Sequence, residues 1–333
     1  MKILSSARMW DVPWWKENVT DKVTPFLTGK SAREIARVKI KMQKDFDVVL
    51  VEGVQSLWYT LLLTLFGKKA AVVMGEMFLP EPNPNDFKWK IKRLIRQFLY
   101  RKVDRFVVFS TAEHRLWAEY LRYDESKFTT ILFASNILDP ARFPDGLFLP
   151  EGDYGFAAGR SGRDYKTFFG AVKDISYPFV VVADKKSVQE LEVPKNVTLY
   201  CDIPWEEYIE LLKKSAFTVV PLRDEHRSTG QVVILEGYAF GKPTVSTRCI
   251  GTTDYVFEEE TGFLVPPYQP VAMREAIEKM LSDDEKRRYY GKNALEICKL
   301  RFSPQAYLDQ YLKVFEEAIA SYRSNQNKYT ADG

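Results

Sequence analysis

A chain of 333 residues, 46% hydrophobic and 28% charged, has the composition of a globular protein with room for two domains of ordinary size. That composition excludes a disordered chain, a collagen-like fibre and a small stapled scaffold. Its 48 Lys and Arg against 45 Asp and Glu leave a formal charge of +3, too near balance for a general nucleic-acid binder. Three scattered cysteines (Cys201, Cys249, Cys298) and two histidines (His114, His226) form no metal-ligand spacing and suit a reducing compartment.

From the first residues, Met1-Lys2-Ile3-Leu4, the chain runs directly into a short strand without an apolar signal core. The longest apolar run, 57–66, falls short of the ~18 residues that a membrane-spanning helix needs. The expectation is a cytoplasmic protein. Short β-branched runs at 2–5, 47–51, 70–74, 105–109 and 129–133 alternate with helical patterns at 32–44, 57–66, 87–100 and 112–121. A loop rich in Pro, Gly and Asp follows over 139–153. The pattern then restarts, with strands at 154–158, 179–183, 198–200, 217–221, 244–247 and 263–265. Helices are predicted at 165–173, 205–214, 231–240, 270–281, 284–300 and 304–321. Such alternation predicts parallel sheets covered by helices. The fold class is therefore α/β, two Rossmann-like domains facing a cleft, over 1–148 and 149–303. A C-terminal helix (304–323) packs back toward the first domain, and a frayed tail (324–333) follows.

The most informative segment is a buried strand, a charged loop (Arg223-Asp224-Glu225-His226-Arg227) and a helix opening at Ser228-Thr229-Gly230-Gln231. The turn Gly241-Lys242-Pro243 ends that helix. Free backbone N–H groups at its start form an anion site. Glu236 interrupts the apolar run 232–240, where a carboxylate is costly unless a partner receives it. A second segment, Gly159-Arg160-Ser161-Gly162-Arg163-Asp164-Tyr165-Lys166, brings three cations after a strand. Arg grips phosphate oxygens with a planar fork, while Lys acts as a point charge.

These segments resemble the retaining, nucleotide-sugar-dependent glycosyltransferases of the GT-B fold, in particular glycosyltransferase family 4 (glycosyl transferases group 1). The resemblance implies transfer of a sugar from a nucleotide-diphosphate donor to a hydroxyl of a glycan or lipid-linked saccharide, with retention. It implies no metal and no cofactor beyond the nucleotide-sugar co-substrate. It assigns Arg160 and Lys166 to the diphosphate, with Gly159 and Arg163 beside them. The second Glu of the family's Glu-x7-Glu, which holds the ribose hydroxyls, falls on Glu236. The first Glu falls on Ser228; either Glu225 substitutes, or the Ser228 hydroxyl and the backbone of Thr229, Gly230 and Gln231 hold the sugar. His226 flanks the donor, and Gly251 and Thr252 resemble the Gly-rich turn near the phosphates. The resemblance weakens over the first half. The loop after the first strand carries Trp10, Trp14 and Trp15 where a Gly-Gly pair is usual, and Glu76 stands in a region where the family often places a His. Trp10, Trp14 and Glu76 are accordingly acceptor-side candidates. A non-catalytic sugar-nucleotide binder and an epimerase of the same fold are the alternative readings.

Two signals read as structural. Asp45-Phe46-Asp47 precedes a strand at its amino end, as a surface turn does, and Ser110 with Glu113 spells a capping box beside His114. One segment fits two readings. On 87–100, Phe87, Ile91, Leu94, Ile95 and Phe98 share a helix face, amid Lys88, Lys92, Arg93, Arg96, Arg101 and Lys102. Either that face is core, or the helix lies on an anionic membrane surface, making the protein peripheral on the inner face.

Overall fold

The computed structural model describes residues 1–5, 20–21, 31–53, 55–75, 83, 85–138 and 152–331. Trp10, Trp14, Trp15, Glu76 and most of the predicted linker lie outside the described residues. The chain forms two compact units, 1–132 with 307–333, and 133–306. They divide between Leu132 and Phe133 rather than near 148.

In the first unit the elements run β1 (Lys2–Leu4), β2 (Thr20–Asp21), α1 (Ala32–Met42), β3 (Val48–Glu52), α2 (Gln55–Phe66), β4 (Ala71–Gly75), α3 (Phe87–Tyr100), β5 (Arg105–Val108), α4 (Thr111–Leu121) and β6 (Phe128–Thr130). The strands form one parallel sheet in the order β2-β1-β3-β4-β5-β6. β3 and β4 are buried along their whole length, as strands covered on both faces must be. Ser31 and Glu34 form a capping box at the start of α1. Ser110 accepts from the Glu113 backbone at 3.1 Å, and His114 packs nearby, within reach of Thr130 and the Glu125 carbonyl. The Asp47 carboxylate accepts from the Lys2 backbone. The Asp47 and Ser110 signals are structural here.

The second unit runs β7 (Gly155–Ala158), α5 (Tyr165–Val172), β8 (Phe179–Ala183), α6 (Lys185–Val188), β9 (Val197–Cys201), α7 (Trp205–Lys213), β10 (Phe217–Val220), α8 (Gln231–Ala239), β11 (Thr244–Thr247), β12 (Gly262–Val265), α9 (Pro270–Ser282) and α10 (Asp284–Arg301). Its sheet is again parallel, in the order β12-β11-β10-β7-β8-β9. β10 therefore lies beside β7, and the order reverses between them. A parallel sheet binds ligands at such a switch point, outside the carboxyl ends of its strands. Two parallel sheets with their helices make two Rossmann-like domains.

α11 (Pro304–Ala331) starts at Ser303, whose hydroxyl accepts from the Ala306 backbone. From Tyr307 onward it belongs to the first unit, where Glu317 pairs with Arg105 at 3.2 Å. Its helix continues ten residues past the predicted end at 321, because the polar run 322–331 contains no Gly or Pro to stop it. The short β2 and α6 were not predicted; two and four residues are too few to show a period.

Candidate functional site

The turn after β7 is built around a half-buried arginine. Arg163 donates from Nε to the Ala158 carbonyl at 2.6 Å and from one terminal nitrogen to the Ser161 carbonyl at 2.8 Å. Its guanidinium runs under Gly159, which has φ +119° and would place a side-chain Cβ 2.2 Å from it. No residue but glycine fits there. Tyr165 donates to the Gly159 carbonyl from the other side at 2.7 Å. Arg160, exposed, projects from this turn.

The segment after β10 reaches the same place. Arg223 donates its backbone N–H to the Gly162 carbonyl at 2.8 Å, and Arg163 pairs with Leu222 in an isolated antiparallel bridge. α8 follows with Gly230 at its N-cap. This helix is apolar on nearly every face, and eight of its nine residues are buried. Gln231 opens it, and its buried Nε2 has no hydrogen-bond partner among the described residues, a costly state unless water or a ligand accepts the bond.

Glu236 is 5% exposed. Burial pushes its carboxyl up to about 7; the Tyr208 hydroxyl bonded to it and the Arg163 guanidinium pull the other way. Tyr208 Oη donates to Glu236 Oε2 at 2.5 Å, and burial beside that carboxylate raises the phenol well above its ordinary range.

Gly159, Arg160 and Glu236 line one hollow of about 250 Å³. Val232 and Val233 of α8, Val182 and Ala183 at the end of β8, and Asp202, Ile203, Trp205 and Tyr208 beyond β9 complete its wall. It opens at the carboxyl ends of β7, β8 and β9, beside the switch point. The hollow thus joins a cation, a half-exposed indole, apolar strand ends and a buried carboxylate, next to the free N–H groups that begin α8.

Other predicted residues lie around it. Glu225 has both carboxylate oxygens engaged, by Arg223 at 3.3 Å and Arg227 at 2.8 Å. Thr229 lies against Gly162. Gly251 abuts the backbone of Ser228 and Thr229 so closely that a Cβ would meet the Thr229 nitrogen at 2.5 Å. The Thr252 hydroxyl, fully buried, donates to the Thr247 carbonyl and accepts from the Cys249 backbone. It holds the turn that presses on the start of α8. His226 is half-buried in the charged loop. Lys166 stands apart. It projects from the exposed face of α5 and lines a different hollow, with Lys173, Glu190 and Glu192. Arg163 folds back under Gly159, and neither it nor Lys166 is among the residues that line the hollow. Sequence reasoning missed Asp202, Trp205 and Tyr208. The order of the strands, which sets the β9–α7 turn two strands from β7, is the signal that could have found them.

Residues 179–297 match the model of glycosyl transferases group 1. Among curated relatives, the chain is 30% identical over 177 residues to an uncharacterised glycosyltransferase of Methanocaldococcus jannaschii, covering 50% of this chain and 49% of that protein. It is 32% identical over 133 residues to a D-inositol 3-phosphate glycosyltransferase of Corynebacterium glutamicum, covering 40% and 31%. The chain thus spans about half or less of these relatives. Among solved structures, an Anabaena protein in complex with UDP-glucose aligns with a TM-score of 0.69 at 13% identity, covering 95% of this chain and 99% of that one. A glycosyltransferase of Rickettsia africae aligns with a TM-score of 0.67 at 17% identity, covering 96% and 90%.

Proposed function

We propose that this chain, whose residues 179–297 match the model of glycosyl transferases group 1, is a member of that family and moves a sugar from a nucleoside-diphosphate donor to a hydroxyl of a glycan or lipid-linked saccharide. The observation that carries the reading is the meeting of Arg160 and Glu236 in one hollow at the switch point of the second sheet. Glu236 accepts the ribose hydroxyls. Trp205 and Ile203 offer the base an apolar wall. The diphosphate lies between Arg160 and the N–H groups that open α8, and the Gln231 side chain donates toward it. Ser228 to Gln231 hold the sugar, with Glu225 and His226 flanking it.

As the glycosidic bond breaks, negative charge grows on the diphosphate. Arg160 and the oriented amides stabilise it more than they stabilise the ground state, which lowers the barrier. In a front-face reaction with retention, the departing diphosphate takes the acceptor proton, so no enzymic base is required. Lys166 has no part in this reading.

One observation favours a second reading, a binder without turnover. Ser228 stands where a carboxylate is usual, and Glu225 is already neutralised by two arginines. A thermal-shift screen with UDP, GDP and ADP, followed by transfer assays with the matching nucleotide sugars, separates the two. A ligand at 100 times its dissociation constant stabilises by about 2.7 kcal/mol. Stabilisation with turnover supports the transferase, and stabilisation without turnover toward any acceptor supports the binder. No stabilisation by any nucleotide defeats both.

A further inference from the structure

Two helices of the first unit turn apolar faces outward. α2 has no charged residue, and Leu57, Leu61 and Leu65, spaced four apart, are exposed with Trp58 and Phe66. On α3, Phe87, Ile91, Leu94, Ile95 and Phe98 are exposed in the same way. Exposure reaches 73% at Phe87, 68% at Leu65, 64% at Phe66 and 61% at Leu94. The helices are packing neighbours, so the two stripes adjoin. A contiguous apolar surface of this kind marks a contact site.

Positive charge predominates along α3, although Asp86 caps its start. Residues 87–103 hold seven Lys and Arg and no acid. Where α2 and α3 end, Lys68, Arg101, Lys102 and Lys127 line a hollow of about 680 Å³ beside Tyr322. Asp104, the one acid among its lining residues, is paired with Lys68 at 2.5 Å. The Arg101 guanidinium sits 4.1 Å above the Phe98 ring, at the border between the basic hollow and the apolar face.

We propose that this two-helix face docks on a bilayer containing anionic lipids. The stripes of α2 and α3 enter the acyl boundary, while the cations of α3 and of the hollow receive lipid phosphates. Long basic side chains suit this arrangement because their stems lie along apolar surface while their heads reach the phosphates. Charge selects the occupant: pairing two copies of the chain through this face would set cation against cation. Among the described residues no helix is long and apolar enough to cross a membrane, so the helices lie on the surface. The inference goes beyond the transferase reading and uses none of its residues.

Flotation of the full chain with vesicles of phosphatidylcholine, alone or with about one-third phosphatidylglycerol, tests it. The expected result is partition onto the anionic vesicles about tenfold above the neutral ones, weakened by salt. The double variants Leu65→Ser/Phe66→Ser and Arg101→Glu/Lys102→Glu should each lower that partition by about tenfold with melting temperatures within a few degrees of the parent. Absence of binding to anionic vesicles, equal binding to both kinds, or variants within about twofold of the parent overturns the proposal. So does a dimer in gel filtration that Leu65→Ser/Phe66→Ser converts to a monomer, which would assign the face to a second copy. Flotation without any nucleotide stabilisation would sink the transferase reading and leave this one standing.

Discussion

Two carboxylates, one in each unit, are buried to the same extent and do different things. Asp104 and Glu236 are each 5% exposed, and burial pushes both carboxyl groups up. Asp104 accepts from the Lys68 ammonium at 2.5 Å and from the Val72 backbone at 2.7 Å, so its charge is spent inside the protein. Glu236 accepts from a neutral phenol and lines a hollow. Both acids line hollows, so the comparison teaches that neither burial of an acid nor the space beside it marks a site; what marks it is whether a cationic partner has already taken up its charge.

Removing each acid sharpens the contrast, because the expected signs are opposite. Asp104→Ala leaves a partly buried ammonium and a buried N–H unmatched, and chemical denaturation should show a loss of about 3 kcal/mol. Glu236→Gln should stabilise the ligand-free protein. A carboxyl raised from 4.5 to about 7 costs almost nothing at pH 4, where the folded form is protonated and the unfolded form mostly so. The cost grows as pH rises through the unfolded value and is complete above 7. The gain from Glu236→Gln should therefore be absent near pH 4 and reach about 3 kcal/mol by pH 8, an upper figure because local relaxation reduces it. Equal behaviour at both pH values would break the comparison.

Smaller effects probe what holds the hollow in shape. Gly159→Ala forces a side chain onto the Arg163 guanidinium at a left-handed φ, and the melting temperature should fall by the equivalent of about 2 kcal/mol. Tyr208→Phe deletes one hydrogen bond to Glu236, with a stability change of about 1 kcal/mol or less. Its clearer reading is the pH profile of nucleotide binding. Loss of that bond raises the Glu236 pKa, so binding that needs the carboxylate should shift to higher pH. An unmoved profile would remove Tyr208 from the site.

The strands and long helices were legible because parallel sheets bury nearly continuous β-branched runs and their covering helices are capped by Ser, Asp and Gly. Glu236 was legible as a charge inside an apolar run. Lys166 shows where that legibility ends. Counting six residues from Arg160 gives a distance along the chain, but α5 begins at Tyr165, and its second residue points to solvent. Arg163, at the turn itself, folds back beneath Gly159 instead. Tyr208 is 28 residues from Glu236, and only the order of β9, β8 and β7 brings them together. The stripe on α3 shows a different limit. Its period identifies the residues that share a face, but a period contains no information on what covers that face.

The central claim is that Arg160 and Glu236 hold one nucleoside diphosphate between them. Titration calorimetry of the best-binding nucleotide into the parent chain and Glu236→Gln at pH 8 tests it most directly. The account predicts an affinity loss of about tenfold or more in the variant, in spite of its greater stability. Equal affinity in both proteins would contradict it.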